Sequence, residues 1–333
     1  MADPRVSRFC RQCLQLEPAP EFPSGELLRD EEVQEALYER LFAAKETTLP
    51  QRYQLRILKE LVARIESSIV DWDKHGISNN LMSAMSRLLS LSLPPETAAA
   101  QERYSVTYYL SPLETEPAAS DPHITLLESR FLISASGTTG LRTWEAALHL
   151  GQYLCSNPSL VKGKRVLELG SGTGYLAVLC AKYLGSEHVI ASDGSDEVVR
   201  MLPDSCILNG LEGTERVSVM ELNWGQDLGG SDGEVSQGLA DLDTVLGADI
   251  TYDASAIPPL VATLSELARL SPGISILIAA TERNRTTFES FLDACRQRGF
   301  AVSYEDFAVP SKAMQNGPFY NDASPIHICK LSV

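Results

Sequence analysis

Gly163-Lys164-Arg165-Val166-Leu167-Glu168-Leu169-Gly170-Ser171-Gly172-Thr173-Gly174 is the stretch of this 333-residue chain that decides its fold. The apolar run Val166 to Leu169 reads as a buried strand, and glycines 170, 172 and 174 lead into an apolar helix from Tyr175 to Leu184. Such a loop lets the backbone approach a ligand with no Cβ in the way, while the free N–H groups of the next helix face the same space. A glycine-rich turn that binds nothing is the plainer alternative.

Spacing narrows the ligand. Dinucleotide sites place their glycines as G-x-G-x-x-G, whereas here they alternate, with Tyr175 near where the third would be. Glu168 at the mouth of the loop would repel a pyrophosphate but suits a ligand that carries an ammonium and a sulfonium. S-adenosylmethionine has both, so the loop is expected to bind it and not NAD.

From Lys164 onward, strands are expected near 164–169, 188–193, 216–222, 244–250, 274–281, 300–306 and 325–332, with helices between the first six. This alternation implies an α/β fold: a Rossmann-like sheet of seven parallel strands, helices on both faces, and a ligand beyond the carboxyl ends of the central strands. Gly225 to Asp241, with five glycines and four acidic residues, breaks the rhythm as a mobile acidic loop. Residues 1–95 read as a helical N-terminal domain; Leu55, Leu58, Leu61, Val62 and Ile65 share one helix face, and Asp30-Glu31-Glu32 opens another helix. That domain is either a substrate-docking module or a packing extension. Pro94-Pro95 and the alanines at 98–100 suggest a linker, and the α/β domain spans 100–333. Within it, Ser105 to Leu110 and Ile124 to Ile133 read as a hairpin around the loop Pro112 to Pro122. Ser136-Gly137-Thr138-Thr139-Gly140 then opens a helix from Leu141 to Leu154, with Trp144 in its first turn, either facing the ligand or buried in the core.

Strand ends supply the candidate site. Asp193 closes the second strand and can accept both ribose hydroxyls, or it can cap the following helix. Trp224, after Asn223, offers a flat apolar partner for adenine, or is a core indole. Small Ala248 leaves room for the cofactor, and Asp249 and Tyr252 follow the strand beside the methyl donor. Enzymes that methylate DNA bases or glutamine have an Asn/Asp-Pro-Pro-Tyr/Phe turn at this place, which holds a planar amide or exocyclic amine; no proline follows Asp249, so the departure from their pattern implies a flexible amine as acceptor.

A net charge of −16 disfavours a nucleic-acid partner. Seven scattered cysteines indicate reduced, intracellular use, and Cys10-x-x-Cys13 lies in a helical pattern with no second pair, so no metal site is expected. The sequence shows neither a membrane-length apolar run nor a signal peptide, so a cytosolic setting is expected.

With these residues in hand, the chain resembles the seven-β-strand protein-lysine methyltransferases, and among them the group that modifies eukaryotic elongation factor 2. The matching segments are Ser136 to Ala147, Val166 to Gly174, Asn223-Trp224 and Ala248 to Tyr252; the helical N-terminus and Gly317-Pro318-Phe319-Tyr320 match less sharply. The resemblance implies a class I methyltransferase sheet and N-methylation of a lysine on elongation factor 2. It further implies that Trp144, Gly170, Ser171, Gly172, Asp193, Trp224 and Ala248 contact S-adenosylmethionine; Glu168 and Gly174 join them from the loop. Asp249 and Tyr252 are expected to hold the lysine, in a monomeric enzyme. Two alternatives stand beside this reading: a different protein lysine or small amine as acceptor, or a binding protein that keeps the cofactor while its N-terminal helices do the work.

Overall fold

The structure, a computed structural model, describes residues 3–43, 49–92, 102–114, 121–129, 139–228 and 238–333. Helices α1 (Pro4–Leu14), α2 (Gly25–Leu28), α3 (Glu31–Leu41), α4 (Gln51–Ser68) and α5 (Asn79–Ser90) come first. Three start on side-chain caps: Asp3 accepts from Arg5 N, Asp30 from Glu32 N, and Ser78 from Asn80 N and Leu81 N, each satisfying a donor that the helix itself leaves free. In α4, Leu58, Leu61, Val62 and Ile65 of the expected face are buried together with Ile57, while Leu55 is only partly buried.

Strands β1 (Tyr104–Tyr109) and β2 (His123–Glu128) then pair antiparallel as a separate hairpin. After α6 (Glu145–Ser156) the chain alternates through β3 (Arg165–Leu169), α7 (Tyr175–Lys182), β4 (His188–Asp193), α8 (Asp196–Leu208), β5 (Val217–Glu221) and β6 (Thr244–Ala248). It continues with α9 (Ile257–Leu270), β7 (Ser275–Thr281), α10 (Arg285–Gln297), β8 (Ala301–Tyr304) and β9 (Ile326–Ser332). The seven strands from β3 onward form one sheet in the order β5-β4-β3-β6-β7-β9-β8. Period-two alternation places each strand's side chains on two covered faces. Leu246, Leu277 and Ala279 join a cluster with α6, α7, α8 and the N-terminal helices, while Val245, Ile276, Ile278 and Ala280 join the opposite one with α9 and α10.

The sheet departs from the sequence reading in its last strand. β9 runs antiparallel between β7 and β8, because the connection from β8 carries only a 3-10 turn, Lys312–Met314, and no crossover helix. The helix expected to start at Leu141 starts at Glu145, and Trp144 is its N-cap, not a first-turn residue. Contacts with the hairpin end hold the preceding residues out of a helix: the Thr143 side chain donates from Oγ1 to Glu128 Oε1 at 2.7 Å, and the Leu141 backbone oxygen accepts from Ser129 N at 2.9 Å. Between β5 and β6, where a helix was expected, the described residues are helical only at 238–239. Most of the Gly225–Asp241 stretch, the Pro94-Pro95 and alanine segment, residues 130–133 of the second hairpin strand, the middle of the Pro112–Pro122 loop and Ser136-Gly137-Thr138 lie outside the described residues.

Helix α1 is tied into the rest of the chain. Its Val6, Phe9 and Cys13 belong to the same buried cluster as Val166 and Ile328, Arg11 meets Glu114 at 2.7 Å, and Lys312 meets Glu17 at 3.2 Å. Gln15, 1% exposed, accepts from Phe319 N at 2.8 Å and donates from Nε2 to Phe319 O. Gln15→Ala leaves both backbone groups buried without a partner, which costs about 1–3 kcal/mol for each group stranded. We expect denaturant unfolding to show a single transition lowered by at least that amount; an unchanged midpoint would mark α1 as an independent appendage.

Candidate active site

The turn out of β3 is built on backbone that side chains avoid. Gly170, Gly172 and Gly174 have φ of +64°, +52° and +85°. A Cβ on Gly170 would fall 2.7 Å from Ile250 Cγ2, and one on Gly172 would fall 3.2 Å from Gly140 O. The loop is therefore pressed between the post-β6 turn and residue 140, and it floors a cavity of about 300 Å³. Ten of the eleven residues singled out from sequence line that cavity: Trp144, Glu168, Gly170, Ser171, Gly172, Asp193, Trp224, Ala248, Asp249 and Tyr252. Gly174 does not; it turns the chain into α7 as its N-cap.

Glu168 is not at the mouth of the loop, where the sequence reading put it, but beneath it. The side chain is inside the sheet layer at 3% exposure, opposite Ala191 of β4 and Leu246 of β6, and its Oε2 accepts from Ala177 N in the first turn of α7 at 3.0 Å. Burial pushes its carboxyl up to about 8. Asp193, at the end of β4, accepts from Gly172 N at 3.1 Å and from Ser195 N, the N-cap of α8, at 3.0 Å. It thus braces the glycine loop and the start of a helix at once, and burial raises its carboxyl as well.

Trp144 borders the cavity with its Nε1 donating to Thr139 O at 3.0 Å. Two guanidiniums flank the indole, Arg142 at 4.3 Å and Arg283 at 5.0 Å from the ring centre. Asp249 directly follows β6 with φ +52°, and both of its carboxylate oxygens accept hydrogen bonds from the protein. Its Oδ1 accepts from Thr281 N at 2.9 Å and Arg283 Nη1 at 3.2 Å. Its Oδ2 accepts from Thr281 Oγ1 at 3.0 Å, Arg283 Nη2 at 3.2 Å and Ala146 N at 3.3 Å. Tyr252, three residues on, is 60% exposed at the rim, its hydroxyl 3.4 Å from Thr139 Oγ1.

The sequence reading did not single out Arg283, Arg142, Thr143, Thr173 or Ile250. Arg283 lies two residues past the end of β7, so the strand-end rule that found Asp193 and Asp249, extended by one strand, finds it too. Ile250 has no such signal; its position is visible only because Gly170 and Gly247 lack the Cβ it would strike. Cys10 and Cys13 are buried in α1, and burial raises both thiols. Among the described residues no three metal-ligating side chains cluster, and no helix is long and apolar enough to cross a membrane.

Comparison with known proteins adds a family and relatives. A family model described as "Lysine methyltransferase" matches residues 130–298. "Protein-lysine N-methyltransferase EFM3" of Chaetomium thermophilum is 64% identical over 331 residues, covering 99% of this chain and 98% of that one. The Saccharomyces cerevisiae protein of the same name is 33% identical over 233 residues, covering 64% and 66%. "Protein-lysine N-methyltransferase EEF2KMT" of Homo sapiens is 34% identical over 196 residues, covering 55% and 57%.

The raised Glu168 carboxyl makes ligand-free stability depend on pH. The folded protein favours the protonated form while the unfolded chain titrates near 4.5, so the contribution is complete below that pH and is lost as pH rises through about 8. Thermal melts from pH 5 to 9 should show the wild type losing stability relative to Glu168→Gln across this window. Parallel curves for the two proteins would mean that Glu168 is ionised throughout.

Proposed function

The chain belongs to the lysine methyltransferase family, and from that premise we propose that the lysine it methylates lies on translation elongation factor 2. It is a protein-lysine N-methyltransferase that uses S-adenosylmethionine. Elongation factor 2 is the substrate implied by the segments around Trp144, Glu168, Trp224 and Asp249, and the human relative's name, EEF2KMT, agrees with it. The observation that carries the reading is a cavity that reaches from buried Glu168 to exposed Tyr252. It offers cofactor-sized space below and an open aromatic rim above, as a lysine arriving on a second protein requires.

The residues present fit the cofactor. Gly170 and Gly172 form a cradle that any Cβ would fill, and Glu168 and Asp193 place acidic groups against it. S-adenosylmethionine supplies a methyl group activated on a sulfonium. Glu168, Gly170, Ser171, Gly172, Asp193, Trp144, Trp224 and Ala248 are proposed to hold it, with Gly174 acting by turning the chain into α7. The lysine ε-nitrogen must arrive without its proton, and proximity to the sulfonium favours proton loss through like charge. Transfer would form the C–N bond as the C–S bond breaks with its electron pair left on sulfur, and the chain's part would be to hold the amine and the bound cofactor together. Alignment of the two centres lowers the barrier by several kcal/mol. Tyr252 lines the way in. Asp249 is proposed to act as a positioning residue and not as the ammonium's partner, a role supported by the five donors its oxygens already take.

The N-terminal helices are proposed to dock the substrate, where Val70 and Trp72, 86% and 58% exposed after α4, offer apolar contacts. All seven cysteines are free, which supports a cytosolic setting, and we place the reaction there with a monomer and without nucleic acid. Incubation of the enzyme with S-adenosylmethionine and purified elongation factor 2, read by peptide mass, should add one or more methyl groups to a single lysine. Labelling of another protein in cell extract, with elongation factor 2 left unmodified, would replace this substrate.

A further inference from the structure

One cation of the cavity is only loosely paired among the described residues. Among the described residues lining it, Arg142 alone is positively charged, facing the carboxyl groups of Glu168, Asp193 and Asp249. Asp249 is already matched by Arg283. Arg142 is held differently. Its Nη2 is 3.7 Å from Glu145 Oε1, too far for a hydrogen bond, and Glu145 is drawn instead to Arg283 at 2.5 Å. The buried Arg142 Nε has no hydrogen-bond partner among the described residues, although the side chain is only 23% exposed. Such donors are costly to leave unsatisfied. The Trp144 ring, 4.3 Å from the guanidinium carbon, keeps the group in place without using its N–H donors.

S-adenosylmethionine carries three charges, a sulfonium, an α-ammonium and an α-carboxylate. The acidic residues of the cavity suit the first two. A guanidinium, with its fork of donors, suits the third. We propose that Arg142 binds the α-carboxylate of the cofactor's methionine end, with Trp144 as the platform that orients it. This rests on the cofactor reading of the cavity and adds to it a residue that discriminates between ligands. Arg283 is not available for that task, since its terminal nitrogens are taken by Asp249 and Glu145.

Calorimetric titration of the full chain, with no protein substrate present, tests the proposal using three ligands. These are S-adenosylmethionine, its decarboxylated analogue and 5′-methylthioadenosine, which lacks the whole amino-acid end. The wild type should prefer S-adenosylmethionine over the decarboxylated analogue by about tenfold to a hundredfold, the range for a charged hydrogen bond. Arg142→Gln should abolish this preference and leave 5′-methylthioadenosine affinity unchanged; Arg142→Lys, which keeps the charge without the fork, should retain part of it. The preference is a ratio within one protein, so a partly unfolded variant still reports it. Arg142→Gln weakening all three ligands alike would reduce Arg142 to a support for Trp144, and an intact preference would place the carboxylate elsewhere; both overturn the proposal. Wild-type protein that binds none of the three would instead contradict the cofactor site itself.

Discussion

A single carboxylate joins the parts of this site. Asp249 directly follows β6 in a left-handed conformation that costs about 1–2 kcal/mol for a residue with a Cβ, and the turn persists because five donors converge on it. They come from three places: the end of β7 through Thr281, the loop beyond it through Arg283, and the first turn of α6 through Ala146. The first residue of that turn is Glu145, also bound to Arg283, and before it stands the N-cap Trp144 under the same guanidinium. One ion pair thus fixes where two strands stop, where a helix begins and how an indole faces the cavity. Arg283 is 39% exposed while Asp249 is 5% exposed at its side chain, so the charge the pair buries is mainly the acceptor's, and its multiple hydrogen bonds compensate for that burial.

The features legible in the sequence were those that a short stretch determines. The glycine loop, the seven strands and the carboxyl-end positions of Asp193, Trp224 and Asp249 follow from local pattern and the geometry of parallel sheets. What escaped depends on partners distant in the chain. The direction of β9 is set by the lack of a helix after β8, and the N-cap position of Trp144 by Thr143 reaching back to Glu128 across the hairpin. Glu168 shows the limit most sharply: its residue type is right for a cationic ligand, yet alternation along β3 carries the side chain below the loop and into the layer under α7. Its place in the strand indicates a cavity residue, and only the structure reveals a carboxyl that burial raises.

The helices ahead of the sheet looked separable in sequence because a proline pair and an alanine run follow them. In the folded chain their apolar faces continue the cluster that covers one side of the sheet, and Gln15 forms part of that joint with Phe319. A substrate-docking role for these helices is therefore better probed by surface substitutions than by truncation, which would uncover the core.

Asp249→Asn tests the framing role most directly, because the amide keeps the volume and replaces only the charge and part of the acceptor capacity facing Arg283, Thr281 and Ala146. Melting temperature, S-adenosylmethionine affinity and kcat/KM for the protein lysine, measured together, should all fall, since Trp144 and the post-β6 turn lose their common anchor. A hundredfold loss of kcat/KM with melting temperature and cofactor affinity unchanged would contradict this account and assign Asp249 to the lysine ammonium itself.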